Sequence, residues 1–164
     1  MTGAERVAEL LAAFDTGRIF AFPGGTISPL LDAIAKQGIE VVVTRNEASA
    51  GHMAQAAYRI SGKPQVVLVT SGPGVTNALT PLADAYFDSD AVVYLFGQVA
   101  TTSMRLDRPV RQRGFQEVDS IALARPISVA QFAPRMPEDL VRNVEAALNI
   151  CTQGRPGPAV VDCP

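Results

Sequence analysis

Apolar positions along this chain switch repeatedly between two periods. In residues 4–14, "AERVAELLAAF", Val7, Leu10, Leu11 and Phe14 recur at helical spacing, with Thr2 placed as a possible cap. "RIFAF" (18–22) reads as a short strand, and "ISPLLDAIAKQG" (27–38) as a helix closed by Gly38. "IEVVVT" (39–44) is a strand and "EASAGHMAQAAYRISG" (47–62) a helix ending at Gly62. "QVVLVT" (65–70) is a strand, "GVTNALTPLADAYFDS" (74–89) a helix and "AVVYLFG" (91–97) a strand. Residues 98–118 carry no period and predict a long loop with room for a short helix beyond it. "PEDLVRNVEAALNICTQG" (137–154) predicts a long helix from Pro137 to Gly154, and "PAVVDCP" (158–164) a closing strand.

The strands are continuous apolar runs rather than alternating ones. Such runs belong to strands covered on both faces, so the expectation is an α/β fold: an open, mostly parallel sheet with helices on both faces and right-handed crossovers. No repeat, low-complexity tract or linker interrupts it. With 164 residues, the chain is expected to be a single domain, 1–164.

Composition narrows the function by exclusion. Apolar residues make up 48% and charged residues 18%, a globular balance. The formal charge of −2 gives no footprint for nucleic acid or an anionic membrane. No signal-peptide pattern and no spanning apolar run is present, so a cytoplasmic setting is expected. Cys151 and Cys163 lack a second Cys/His pair and read as ordinary thiols.

In a sheet of this class ligands sit beyond the carboxyl ends of the strands. Four segments project there: "FPGGT" (22–26), "TRNE" (44–47), "TSGPGVTN" (70–77) and "GQVATTSM" (97–104). Gly72 and Gly74 begin a G-x-G-x-x-G pattern, but Asn77 stands in place of the third glycine and the loop follows the third strand. That argues against a dinucleotide site, and the absence of a Walker lysine argues against a P-loop. A different feature stands out. Glu47 is a carboxylate set where the apolar run 39–44 hands over to a helix.

These segments, in this order, resemble the pyrimidine-binding (PYR) domain of thiamine diphosphate-dependent enzymes, most nearly the acetolactate synthase group. "FPGGTISPLLDAI" is similar to that group's "YPGGA" turn and helix. "TRNEASAGHMAQAAYRISGKPQVVLVTSGPGVTN" is similar to its "RHEQ-AGHMA…ATGKPGV-LVTSGPGATN", "FQEVD" (115–119) to its "FQE-D", and "GRPGPAVVDCP" to its last strand. The resemblance implies that Glu47 hydrogen-bonds N1′ of the cofactor's aminopyrimidine. A carboxyl group there exchanges a proton with the ring, giving access to the imino tautomer that takes the thiazolium C2 proton; an apolar crevice, which raises carboxyl pKa values in general, suits such a role. It further implies that Gly72, Pro73 and Asn77 lie beside the aminopyrimidine, and that Gly24, Gly25 and Thr26 shape the substrate end. Phe115 and Gln116 match a segment that reaches the active centre of a neighbouring subunit. His52, the only histidine, is expected to be a helix-surface or packing residue rather than an acid or base.

Departures from the pattern accompany the matches. Asn46 replaces the usual histidine of "RHE", and Thr26 replaces alanine. The stretch "MRLDRPVRQRG" (104–114) carries Arg105, Arg108, Arg111 and Arg113, either as a solvated loop or as a clamp for a carboxylate or an acidic partner. No "GDG" occurs, so the Mg²⁺ and diphosphate ligands of the family's PP domain are expected on a partner subunit, in an α₂β₂ assembly. FAD, held in the group by a middle domain, is not expected. The implied function is the PYR subunit of a split acetolactate synthase-like enzyme that decarboxylates a small 2-oxo acid, pyruvate foremost, and ligates the two-carbon unit to an acceptor. A sulfopyruvate- or phosphonopyruvate-type decarboxylase and a non-catalytic, partner-binding remnant are the alternatives.

Overall fold

A computed structural model describes residues 1–106 and 108–164. Asp107, inside the basic stretch 104–114, lies outside the described residues. Among the described residues six strands form one sheet: β1 (Arg18–Phe22), β2 (Glu40–Val43), β3 (Gln65–Val69), β4 (Val92–Gly97), β5 (Ala130–Phe132) and β6 (Ala159–Cys163). Their spatial order is β2-β1-β3-β4-β6-β5 and every pairing is parallel. The expected α/β class, with a parallel sheet between helical layers, is what the chain adopts.

Among the described residues six α-helices cover the sheet: α1 (Gly3–Ala13), α2 (Ser28–Lys36), α3 (Glu47–Ser61), α4 (Pro73–Asp88), α5 (Ser120–Ala124) and α6 (Pro137–Ile150). One core joins α1, α2 and α6 to one sheet face through Val7, Leu11, Ile34, Leu68, Leu95, Val144 and Val161. A second joins α3, α4 and α5 to the other face through Ala50, Ala54, Val67, Leu82, Tyr94 and Phe96. Strand β4 is buried along its whole length, as its unbroken apolar run requires. Local signals set the helix ends. Thr2 and Glu5 form a reciprocal capping box at α1. Gly62, at a left-handed φ of +68°, closes α3 through its N–H to Tyr58 O.

Three elements differ from expectation. Strand β5 was not anticipated: three half-buried residues at the sheet edge are too short to show a period, and pairing with β6 decides them. Helix α6 stops at Ile150 rather than Gly154; Cys151 caps it, and Gly154 (φ +64°) serves the turn that follows. The unperiodic region after β4 contains one short turn of 3₁₀ helix, Thr101–Ser103, before α5. Among the described residues no helix is long and apolar enough to cross a membrane.

Strand order fixes where a ligand crevice opens. From β1 the chain moves outward to β2 through α2 on one face, then returns past β1 to β3 through α3 on the other. The connections leaving β1 and β3 therefore diverge to opposite faces, and a cleft opens between them at the carboxyl edge.

Candidate active site at the sheet switch point

Glu47 is the first residue of α3 and is only 6% exposed. The turn that delivers it is held by Thr44, whose N–H donates to Ala21 O (2.9 Å) and whose hydroxyl donates to Asn46 O (2.8 Å). Asn46 is the N-cap of α3; its Oδ1 accepts the Ala48 N–H at 2.8 Å. The asparagine that departs from the family's histidine thus has a local structural use, one that sequence reasoning missed although Asn before a helix start is a capping signal.

A buried carboxylate needs partners. Asn77, one turn into α4, donates its Nδ2–H to Glu47 Oε2 at 3.0 Å. Oε1 accepts no hydrogen bond among the described residues and lies 3.6 Å from the point a Cβ on Gly74 would occupy. That same Cβ would sit 2.8 Å from Thr70 Cγ2, so glycine keeps the space before the carboxylate open. One turn below, Gly51 of α3 meets Pro81 of α4. A Cβ on Gly51 would lie 2.5 Å from the proline ring carbons and 2.9 Å from Tyr94 Oη. This close approach sets the two helix starts at the distance at which Glu47 and Asn77 bond, and it too was missed.

The two sides of the switch point are stitched by side chains. Thr26 Oγ1 and Thr70 Oγ1 share a hydrogen bond of 2.9 Å, and Thr26 Oγ1 accepts the Ser71 N–H at 3.3 Å. Gly24 is required by contact, since its Cβ would fall 2.3 Å from Thr70 Cβ. A Cβ on Gly25 would meet nothing within 4 Å, so this first residue of a short 3₁₀ turn carries no packing demand. Gly72, at φ +61°, caps α4, and Pro73 follows at the first helical position, where its missing N–H has no partner to lose. Ser71 Oγ is buried without a hydrogen-bond partner among the described residues.

The loop after β4 closes over this turn. Gln116 adopts a left-handed conformation (φ +61°), and its Cβ and carbonyl oxygen each lie 2.7 Å from where a Gly72 Cβ would stand. Neighbouring Phe115 is 81% exposed. The structure thus brings Glu47, Asn77, Gly72, Gly24, Thr26 and Gln116 into one contact chain and leaves Gly25 and Phe115 at its rim. His52 lies on the exposed surface of α3, its Nδ1 3.5 Å from Asp84 Oδ2. Cys151 and Cys163 are free and buried, and burial pushes the Cys151 thiol up to about 12. In the basic loop, Arg105 and Arg113 turn their guanidinium groups onto the carbonyls of Val110 (3.2 Å) and Thr102 (2.5 Å).

Beside the crevice lies a polar cluster that sequence reasoning did not single out. Asp162, at the end of β6 and 3% exposed, accepts from Ser120 Oγ (2.6 Å) and Gln98 Nε2 (3.2 Å), with Arg135 Nη1 3.7 Å away. Burial pushes its carboxyl above the ordinary value, against the pull of those donors. Concavity alone would not have found Glu47. A cavity of about 720 Å³ lies instead at the amino ends of the strands, around Phe14, Gly17 and Lys63.

Comparison with known proteins gives this geometry its context. The chain is 41% identical over 164 residues to the mitochondrial acetolactate synthase of Schizosaccharomyces pombe, covering 99% of this chain and 24% of that protein. It is 41% identical over 165 residues to the acetolactate synthase isozyme 3 large subunit of Escherichia coli, covering 100% of this chain and 28% of that one. A mitochondrial acetolactate synthase catalytic subunit of Saccharomyces cerevisiae matches at 39% over 165 residues, 23% of its length. The chain thus spans about a quarter of the length of these relatives. Residues 1–123 match the family described as "Thiamine pyrophosphate enzyme, N-terminal TPP binding domain", and the chain belongs to that family.

Proposed function

We propose that this domain is the pyrimidine-side half of an acetolactate synthase-like enzyme, with Glu47 as its catalytic residue and thiamine diphosphate as its cofactor. The observation that carries the proposal is the Glu47 carboxylate itself: nearly buried at a helix start on the switch point, with Oε2 held by Asn77 and Oε1 facing the space that Gly74 keeps open. The donor set fits an aminopyrimidine, which offers a ring nitrogen to a carboxyl group and a flat face to a glycine turn. Glu47, Gly72, Pro73 and Asn77 would hold that ring. When bound, the cofactor supplies the electron sink for the carbanion left by decarboxylation.

The chain's own residues have separable tasks. Glu47 holds a proton, or accepts one, at Oε1, while the Asn77 amide fixes the carboxylate's orientation. The Thr26–Thr70 bond sets the distance between the two walls of the crevice. Gly24, Gly25 and Thr26 border the substrate end, and Gln116, with Phe115 at the rim, closes it from above. Mg²⁺ and diphosphate fall to a PP-type domain, because these 164 residues contain no "GDG". We place that domain on a second polypeptide in a cytoplasmic α₂β₂ assembly and give FAD no part. The donor is a small 2-oxo acid, pyruvate first.

Co-purification with a "GDG"-bearing partner, followed by product analysis with pyruvate, tests the reading. A thiamine diphosphate-dependent product with a new carbon–carbon bond supports it. Aldehyde alone would assign a decarboxylase instead, a reading that weakens because the guanidinium groups of Arg105 and Arg113 are already bonded to loop carbonyls. Failure of the assembled complex to bind the cofactor would indicate a non-catalytic remnant.

A further inference from the structure

Among its described residues the loop between β4 and α5 holds one short 3₁₀ turn, Thr101–Ser103, yet it sets Gln116 on the glycine turn. Backbone N–H groups in such a segment need acceptors. One side chain supplies three: Glu117 Oε1 accepts the Arg105 N–H at 2.7 Å, and Oε2 accepts the N–H groups of Arg113 (2.8 Å) and Gly114 (3.3 Å). The two stems of the loop, eight residues apart in sequence, therefore meet on one carboxylate. Packing closes the same base. Met104 is 4% exposed, and a Cβ on Gly114 would lie 2.7 Å from Val99 Cβ.

The chain is fixed just as firmly after Gln116. Val118 O accepts the Gln98 Nε2–H at 2.8 Å, and Ser120 Oγ donates to Asp162. Gln116 is thus suspended between the Glu117 carboxylate and the Asp162 cluster, with its left-handed backbone against Gly72. Gly72 caps α4, and α4 carries Asn77 to Glu47.

We propose that Glu117 is a positioning residue, whose carboxylate staples the stems of loop 105–113 and thereby holds Gln116 against the glycine turn of the active site. Burial alone would push its carboxyl up, but the three backbone N–H groups and the nearby Arg105 hold it below the ordinary value of 4.5. The inference rests on reading the crevice as the active site, while the staple itself is open to a test that needs no catalysis.

Trypsin cleavage of the full chain, followed site by site by mass spectrometry, provides that test. Arg105, Arg111 and Arg113 lie in the stapled loop, and exposed Arg142 on α6 is an internal reference. E117A frees both stems. E117Q keeps one acceptor but turns an amide donor towards the other stem's N–H. Cleavage after Arg105 and Arg111, relative to Arg142, is expected to rise tenfold or more in E117A and by a smaller factor in E117Q. Cleavage within twofold of the parent chain in both variants would overturn the staple, whatever the turnover. In the assembled enzyme, E117Q is expected to lower kcat/KM for the 2-oxo acid at least tenfold, with the thiamine diphosphate Kd within threefold. Equal losses in both would mean general damage and overturn the positioning role. An unchanged cleavage rate thus counts against the staple alone, and full activity of a Glu47→Gln enzyme against the site reading alone.

Discussion

At the scale of single residues, the crevice is organised by side chains held by hydrogen bonds, with two oxygens, Glu47 Oε1 and Ser71 Oγ, that have no partner among the described residues. Asn77 holds Oε2 of Glu47 and leaves Oε1 towards the crevice. Asn77→Ala is expected to leave a nearly buried carboxylate without its donor, at a stability loss of about 1–3 kcal/mol by urea denaturation. It should also lower turnover of the assembled enzyme by at least tenfold. Unchanged stability and turnover would mean that the bond is incidental. Thr26→Ala removes one hydroxyl from the stitch to Thr70 and Ser71, and about 0.5–1.5 kcal/mol of stability with it. Glu47 was legible in the sequence because a charged residue ends an apolar strand run and its neighbours match a family pattern. Its bond to Asn77 was not, because thirty residues separate the pair and only the packing of α3 on α4 joins them.

Packing between elements explains how those helix starts come to the right distance. Gly51 lets α3 approach Pro81 of α4 and the Tyr94 hydroxyl, one turn below the Glu47–Asn77 bond. Gly51→Ala places a methyl group 2.5 Å from ring carbons, so one helix must shift. The expected cost is about 1–3 kcal/mol of stability, read as a lower urea midpoint with unchanged slope. A midpoint equal to the parent's would mean that the helix pair has slack. Elements with long apolar runs or clear capping signals, β3, β4, α1 and α3 among them, were readable from sequence. Strand β5 was not, because it is three residues long and owes its state to its neighbour β6. The loop 98–118 was legible only as irregular. Its order comes from Glu117 and Gly114, residues whose partners lie at the opposite stem of the loop and on Val99.

For the molecule as a whole, two carboxylates near the crevice shift in opposite directions and give opposite pH signatures. Asp162 is raised above its ordinary value of 3.8 by burial, so the folded state binds its proton more tightly than the unfolded state. Its contribution is full at low pH and is lost as pH rises from about that value through the higher folded one. Asp162→Asn removes this loss, and the variant's Tm relative to the parent is expected to climb across that window and then level off. Glu117 is lowered, so its contribution is present above the ordinary value of 4.5 and fades as pH falls through the folded one. Glu117→Gln should therefore differ most from the parent at neutral pH and least in acid. A difference independent of pH in either case would contradict the assignment. Strand order places Asp162, since the reversal beside β1 opens the crevice and β4 and β6 bring Gln98 and Asp162 to its flank, while the loop stems place Glu117.

The central claim is that the Glu47 carboxyl exchanges a proton with a bound thiamine diphosphate. Steady-state turnover of pyruvate by the assembled enzyme, compared between the parent and Glu47→Gln at saturating cofactor, tests it most directly. Loss of a required acid–base group is expected to lower kcat by about 10²–10⁴-fold while the complex stays assembled. Turnover within about threefold of the parent would contradict the account.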